Sequence, residues 1–374
     1  MSTQQPPRGR VSVDAHPHLD AVRQDVPGTP SPGSTAATVR RIRRRRAVRA
    51  GVVIGVLAAV VLVAFTATLV IGERWYSIPD VVAVVTGHDV PGASFTVGRL
   101  RLPRAVLGAV TGFCFGLAGV AIQTMLRNPL ASPDVIGISS GASAAAAFAI
   151  ITLGLGGAAV SAFAIVAALA VALVVYLLAY RDGVAGTRLI LIGIGVAAML
   201  ESVTAYVLSR AAQWDLQEAT RWLTGSLNGA DWEAVLPTVV ALAVLGPVLL
   251  GQGRALAGLR LGDDAASAQG IRVERTRVLV IVAAVGLVAF ATAASGPIAF
   301  VAFLSGPIAA RLVGAGTSPL VPAGFIGAAL VLLADLVGQN ALGVRYPVGV
   351  VTGVLGSPYL VWLIIRTNRR GTSL

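Results

Sequence analysis

The chain has 374 residues, of which 56% are hydrophobic and only 12% are charged, and its formal net charge is +12. A soluble globular domain is about 25% charged. The composition therefore excludes an ordinary soluble enzyme and an intrinsically disordered protein, and it predicts a chain that lies in a lipid bilayer. All 29 basic residues are arginine, which excludes P-loop NTPases and enzymes that form a Schiff base on lysine.

Metal and disulfide chemistry are disfavoured by the residue counts. Cys114 is the one cysteine, and the chain has three histidines. A disulfide scaffold needs paired cysteines, and a typical zinc site needs several Cys or His ligands. We therefore expect neither a disulfide nor a metal site in this protein.

Residues 1–49 have the composition of a polar tail. They contain ten arginines, seven of them within Arg40–Arg49, among many Pro, Ser, Thr and Gly residues. Such a segment buries too little apolar surface to order itself, so we expect a disordered cytoplasmic tail whose basic end contacts anionic lipid. A DNA-binding arm and a metal site at His16 and His18 are the alternatives. Since no recognition fold follows the tail, a nucleic-acid partner is not expected.

Ten apolar stretches of membrane-spanning length follow the tail. If the N-terminus is cytoplasmic, 22 arginines fall inside and seven outside, which is the positive-inside pattern of a multi-pass protein of the plasma or inner membrane. We therefore predict a transmembrane domain over residues 50–366, a C-terminal tail over 367–374, and both termini in the cytoplasm. The predicted spans are 50–72, 99–125, 134–153, 158–180, 189–209, 235–252, 277–295, 297–314, 320–338 and 347–365.

Small residues recur at helical spacing within these spans. Gly108, Gly112 and Gly116 are four residues apart, and Gly349 and Gly353 repeat the spacing. Small residues on one helix face let two backbones approach closely in lipid, where packing replaces the hydrophobic effect. The spacing predicts a tight helix bundle and indicates nothing about a substrate.

Two acidic residues, Glu201 and Asp335, fall inside predicted spans. An ionisable group at membrane depth is expensive and marks a functional site or a polar contact with a neighbouring helix. The residues alone leave both interpretations open. Ion-coupled transporters usually carry several such groups, so two isolated acids disfavour ion coupling.

Two polar segments on the predicted cytoplasmic side also stand out. In 127–134, Pro129 and Pro133 break helix, so the segment is either a gate that lines a pathway or a plain tight turn. In 261–270, two acids begin a short run that ends at Gly270, which predicts a short helix. That helix either lies on the lipid surface or is gripped by another protein.

Several motifs together resemble one family. The run Gly116–Ala142 is similar to the signature of the FecCD family, whose members are membrane subunits of ABC importers for iron–siderophore complexes, haem and cobalamin. The resemblance extends over roughly residues 50–366 and includes the further motifs 101–104, 222–227, 261–264, 296–301, 347–350 and 356–358.

The resemblance implies an all-α, ten-span bundle of the type II ABC importer permease kind. It also implies a second permease copy or a homologous permease, two ATPase subunits and an extracytoplasmic substrate-binding protein. The chain would bind no cofactor and would not be an enzyme, because the partner subunit hydrolyses ATP. Ferric siderophores are the first expectation for the cargo, cobalamin or haem the alternative, and an ion-coupled secondary transporter the rival class.

The resemblance also assigns roles to individual residues. The cytoplasmic gate would comprise Asn128, Pro129, Leu130, Gly186 and Thr187. The ATPase-coupling helix would comprise Gly262, Asp263, Asp264, Ala265 and Gly270. Arg101 and Arg104 would dock the binding protein. The chain departs from the family at two positions: Gln339 stands where an arginine is common, and Arg345 where a glutamate is common. We therefore expect Arg345 to replace the missing arginine in docking the binding protein.

Overall fold

A computed structural model describes residues 32–180, 186–341 and 343–368 of the chain. Within those ranges the chain is helical and forms no β-strand. It divides into two compact units, residues 1–48 and 49–374. The first unit contributes to the described part only the beginning of one helix, and the second unit holds the remaining elements.

The described residues form fourteen α-helices, a π-helix at Ser94–Arg101 and a 3₁₀-helix at Pro133–Ile136. The α-helices, in chain order, are α1 Pro32–Val70, α2 Ile78–Val85, α3 Leu102–Met125, α4 Ile138–Ile151, α5 Ala158–Ala179, α6 Gly186–Ser209, α7 Gln213–Leu223, α8 Trp232–Gly251, α9 Gly253–Leu259, α10 Asp263–Ala268, α11 Val273–Ser295, α12 Val301–Val313, α13 Leu320–Asn340 and α14 Val348–Asn368.

Seven of the described helical segments are long and apolar enough to cross a membrane. Three shorter apolar helices cover Ile138–Ile151, Val301–Val313 and Val348–Leu363. These segments coincide with the ten predicted spans to within a few residues at most ends. Ile138–Ile151 and Val301–Val313 were predicted too long because Pro133, Gly137 and the Gly296-Pro297 pair keep the neighbouring backbone out of the helix.

The N-terminal boundary differs from the prediction. Helix α1 begins at Pro32 and continues through the arginine run to Val70, so the predicted tail is helical over its last residues. Arginine and alanine are both good helix formers, and the apolar run that follows extends the same helix without a break. The rest of the tail, 1–31, and most of the predicted C-terminal tail lie outside the described residues.

Helices α3 and α13 form the centre of the bundle, and glycines set their separation. A Cβ at Gly112 would lie 2.7 Å from the Cα of Ala328, and one at Gly116 would lie 2.8 Å from the carbonyl carbon of Ala323. No side chain fits at either position, so the two backbones touch directly. The predicted role of this glycine stripe is confirmed.

The two glycines of the second pair, Gly349 and Gly353, have different surroundings. Gly349, at the start of α14, abuts the backbone of Thr224, and a Cβ there would lie 3.0 Å from the Thr224 carbonyl carbon. Gly353, one turn later, meets no atom of the described chain within 4 Å. Only the first of the two glycines is therefore needed for packing within this chain.

The glycine contact generates a stability prediction. Gly112→Leu should destabilise the protein by about 1–3 kcal/mol or prevent folding, because the side chain must separate two touching backbones. Thermal unfolding of the detergent-solubilised protein would measure the change. Gly55→Leu is the matched control, because no atom lies within 4 Å of a Cβ at that position. Equal stability of the two variants would contradict the assignment of α3 and α13 as the packing centre.

Candidate translocation site

A cavity of about 930 Å³, here called the large cavity, opens between α4, α6, α12 and α14. One end reaches Leu130 and Ser132, which follow the end of α3. The other end reaches Leu223 and Thr224, at the end of α7. Its remaining lining residues are Asp134, Ser139, Ser140, Ser143, Glu201, Thr204, Ala205, Leu208, Pro297, Ile298, Ala299, Phe300, Phe303, Gly349, Val350 and Leu360.

Three sequence motifs that lie far apart in the chain meet at one end of the large cavity. The amide of Ser226 donates a hydrogen bond to the Ser295 carbonyl at 2.7 Å, and the amide of Gly349 donates to the Gly225 carbonyl at 3.1 Å. Gly225 has a φ of 71° and Gly296 a φ of 69°, a conformation that glycine adopts most easily. The junction therefore joins the motifs 222–227, 296–301 and 347–350, all of which the resemblance singles out.

The walls of the large cavity differ in character. One side carries apolar groups such as Phe300, Phe303 and Leu360, and the other carries the hydroxyls of α4 together with two carboxylates. The Asp134 carboxylate accepts hydrogen bonds from Ser132 and Ser139. For Glu201 the structure records neither a hydrogen bond nor an ion pair among the described residues, and its side chain is exposed to the cavity.

The Asn-Pro-Leu turn (Asn128, Pro129 and Leu130) contributes Leu130 to the lining of the large cavity. The Asn128 side-chain oxygen accepts a hydrogen bond from the Leu130 amide at 2.9 Å, which fixes a local turn. Leu130 packs on an apolar cluster that includes Phe303 and Leu363. The predicted polar turn is thus an ordered part of the cavity wall.

Gln123 holds this turn, and sequence reasoning missed it. Its side-chain amide donates to the carbonyls of Pro129, at 3.0 Å, and of Phe303, at 2.9 Å. It thereby connects the end of α3 with the turn and with α12. A lone glutamine in an otherwise apolar run was the available signal, because a buried amide needs partners.

The other two residues of the predicted gate lie elsewhere. Gly186 and Thr187 begin α6, and Thr187 is not among the described residues that line the large cavity. Thr187 is exposed. The segment 181–185 that precedes them lies outside the described residues, so the gate role of Gly186 and Thr187 stays a prediction.

The predicted short helix is present as α10, between α9 and α11. Gly262 and Gly270 flank it with φ values of 106° and 79°, so the backbone bends at both ends. Its two acids have different surroundings. The Asp263 carboxylate is bound by Arg277 at 2.7 Å. Asp264 is exposed, and the structure records no hydrogen bond or ion pair for it among the described residues.

Asp263 also connects α10 with the Asn-Pro-Leu turn. The Arg127 guanidinium lies 3.6 Å from the Asp263 carboxylate, with the two side chains 46% and 40% exposed. Arg127 immediately precedes Asn128 and has a φ of 53°, which ends α3. A pair this exposed contributes little to stability, about 0–1 kcal/mol. Its importance is geometric, since it is a direct side-chain contact between the two predicted functional segments.

The three arginines predicted to dock a partner line a second pocket, of about 380 Å³, here called the arginine pocket. Arg101 donates to the carbonyls of Leu69 and Arg74, both at 2.8 Å, and stacks on Tyr76. Arg345 pairs with Glu73, and both side chains are largely exposed. Gln339 lines the same pocket, so the two positions where the sequence departs from the family pattern lie close together.

Arg104 is less accessible than Arg345, with its side chain 18% exposed against 60%. It binds both oxygens of Asp335 at 2.7 and 2.6 Å, and it donates to the Asn228 side-chain oxygen at 2.6 Å. The Asp335 side chain is 2% exposed. Of the two interpretations for Asp335, the structure therefore supports the polar contact between helices.

The ion pair generates a second stability prediction. Asp335→Asn should destabilise the protein by about 1–3 kcal/mol, because it leaves the partly buried Arg104 charge without its counter-charge. Thermal unfolding in detergent would measure the loss. Glu73→Gln, which breaks the exposed pair with Arg345, is the control and should cost less than about 1 kcal/mol. A small effect of Asp335→Asn would show that the pair does not hold α3 against α13.

No group of three or more His, Cys, Asp or Glu side chains that could hold a metal occurs in the described part of the chain. The site consists of a cavity with a hydroxyl-bearing wall, the Asn-Pro-Leu turn at one end and the junction of three sequence motifs at the other. The exposed helix α10 contacts the residue that precedes this turn. These features suit passage of a molecule through the protein.

Comparison with known proteins identifies the family. The ferric enterobactin transport system permease protein FepG of Escherichia coli is 37% identical over 78% of this chain and 88% of its own length. The achromobactin transport system permease protein CbrC of Dickeya dadantii is 36% identical over 82% and 89%. A solved inward-facing conformation of a proposed metal-chelate type ABC transporter matches with a TM-score of 0.75 and 26% identity over 84% of this chain and 98% of its own.

The motifs quoted from the sequence lie within the region that the family comparison covers. Residues 57–366 match the FecCD transport family, which leaves only the two chain ends unmatched. Proteins of this family are transport subunits and not enzymes, and they reside in the membrane. The chain belongs to the FecCD transport family and is a multi-pass membrane permease subunit of an ABC importer.

Proposed function

We propose that this permease carries ferric-siderophore complexes across the cell membrane, driven by ATP hydrolysis in a partner. The large cavity is the observation that carries the proposal, because its volume suits a bulky chelate and its ends coincide with the family motifs. The relatives named for ferric enterobactin and achromobactin transport support this cargo. Cobalamin and haem are the alternative cargoes.

Ten membrane spans with both termini in the cytoplasm fit the proposal. Helix α4 has 14 residues, which is about 21 Å at 1.5 Å per residue. That is short of a hydrocarbon core of roughly 30 Å. The turn and 3₁₀-helix that precede α4 extend its path, and they are embedded in protein, where irregular backbone is tolerated. The arginine distribution supports the orientation.

The exposed features suit the proposed partners. Two ATPase subunits would each contact one permease, at α10, whose Asp264 carboxylate is free of partners among the described residues. A binding protein would dock at the arginine pocket, with Arg345 more accessible than Arg104. The second permease, a copy or a homologue, would cover the open side of the large cavity.

The contacts suggest how motion in the ATPase would reach the pathway. A displacement of α10 would act on Asp263, then on Arg127, and then on the Asn-Pro-Leu turn, whose Leu130 lines the cavity. Gly262 and Gly270 set off α10 from α9 and α11 by turns in the left-handed backbone region, so α10 would act as a separate short element. The permease supplies two conformations, and nucleotide binding changes their populations.

Reconstitution tests the proposed function. The permease is placed in proteoliposomes with its ATPase and binding protein, and uptake of a ⁵⁵Fe-labelled ferric siderophore, cobalamin and haem is measured with and without ATP. We expect ATP-dependent uptake of the iron chelate. Uptake driven by an ion gradient without the ATPase would overturn the proposal. ATP-dependent uptake of cobalamin or haem, without uptake of the iron chelate, would overturn the assignment of a ferric siderophore as the cargo.

Asp264→Arg tests the ATPase contact. The change should reduce co-purification of the ATPase and its transport-linked activity at least about tenfold, because one exposed charge at the contact is reversed. Glu218→Arg is the control, since it makes the same charge reversal on another helix. Glu218 lies on α7, which precedes α8 in the chain, whereas α10 comes after α8. Normal ATPase binding by the Asp264 variant would remove α10 from the proposed contact.

Arg127→Gln tests the connection between α10 and the turn. We expect normal assembly and near-normal ATP hydrolysis, but about threefold less chelate carried per ATP, because the side chain no longer couples the two segments. The matched control is Arg260→Gln, an exposed arginine between α9 and α10 for which no ion pair is recorded among the described residues. Double-mutant analysis with Asp263→Asn should show non-additive losses. Additive losses would contradict a shared path.

A further inference from the structure

The charge of the large cavity has a consequence for the cargo. Among the described lining residues, two are acidic and none is basic. Asp134 accepts hydrogen bonds from two serines, whereas the structure records no partner for Glu201. The cavity therefore presents one free carboxylate without a neighbouring cation.

The depth of Glu201 explains why it faces the cavity. It lies eight residues before the end of α6 at Ser209, which places it about 12 Å along the helix from that end. A carboxylate at such a depth is expensive in contact with lipid. A position on the wall of an open cavity lowers that cost, and a molecule that enters the cavity would approach the carboxylate.

The remaining polar groups of the wall are hydroxyls, which are electrically neutral. Ser140 and Ser143 on α4 and Thr204 on α6 line the cavity beside Glu201. Hydroxyls can bond to the carbonyl and amide groups of a neutral chelate, but they do not cancel the repulsion between a carboxylate and an anion. If the second permease is a copy of this chain, symmetry places a second Glu201 on the same pathway.

We infer that Glu201 is a specificity-determining residue and that it biases the pathway towards neutral or cationic ferric chelates of the hydroxamate class, against polyanionic catecholate or carboxylate chelates. This inference rests on the proposed function. It differs from the cargo that similarity to the enterobactin permease suggests, because the inference rests on the charge of the cavity and not on overall identity.

The test uses one chelate scaffold at three net charges. The probes are a ferric trihydroxamate with a free terminal ammonium, its neutral N-acetyl derivative and its anionic N-succinyl derivative. Each is loaded on the binding protein, loading is measured by titration, and ATP-dependent uptake into proteoliposomes is followed with saturating binding protein. Ratios of uptake between probes cancel differences in docking, because the binding protein and permease are the same in each case.

In the wild type, uptake of the cationic and neutral probes should exceed that of the anionic probe about three- to tenfold. Glu201→Gln should bring the ratio close to one, and Glu201→Arg should reverse it. Glu218→Gln and Glu218→Arg are the controls, because Glu218 is an exposed acid on α7 that does not line the cavity. They should leave the ratio unchanged.

The outcomes separate the two proposals. Equal uptake of the three probes, an unchanged ratio in the Glu201 variants, or faster uptake of a ferric tris-catecholate than of the trihydroxamates would overturn the inference and leave the ATP-driven chelate importer standing. Absence of ATP-dependent uptake for every ferric chelate would instead overturn the proposed function. Size-exclusion chromatography of each variant with its ATPase serves as the folding control. A variant that assembles normally but has a changed uptake ratio has lost selectivity and not its fold.

Discussion

The direct backbone contact between α3 and α13 is the constraint on which the other features depend. Gly112 and Gly116 allow the two helices to touch, since any side chain there would overlap the backbone of α13. In lipid, such close packing supplies the association that the hydrophobic effect supplies in water. The same approach places Arg104 within 2.7 Å of Asp335. The apolar contact between the two helices is therefore supplemented by an ion pair.

Helix α3 also relates the two ends of the molecule. It is 24 residues long, or about 36 Å. Arg101 and Arg104 lie at its beginning, and Gln123 near its end holds the Asn-Pro-Leu turn by two hydrogen bonds. The helix packs against α13 at Gly112 and Gly116 and against α12 at Gly119, so one helix connects the arginine pocket with the turn. Helix α10 reaches this element through the contact of Asp263 with Arg127.

The two acids at membrane depth illustrate how similar residues acquire different roles. Asp335 is buried and satisfied by a bidentate arginine, so it stabilises the bundle. Glu201 faces a cavity, and no partner is recorded for it in the described part of the chain, so its charge acts on whatever occupies that space. Sequence position could not separate these cases, because both are single carboxylates within apolar helices. Only the location of a facing arginine distinguishes them.

The sequence by itself determined the membrane location, the helical class, the places of the apolar helices and the family. These follow from composition, from runs of apolar residues and from motifs that are local in the chain. It also predicted the glycine stripe and the short helix α10. Local patterns cannot determine which distant residues meet. The junction of Ser226 with Ser295 and of Gly225 with Gly349, the role of Gln123, the pairing of Arg104 with Asp335 and the exposure of Glu201 to the large cavity were therefore decided only by the tertiary structure.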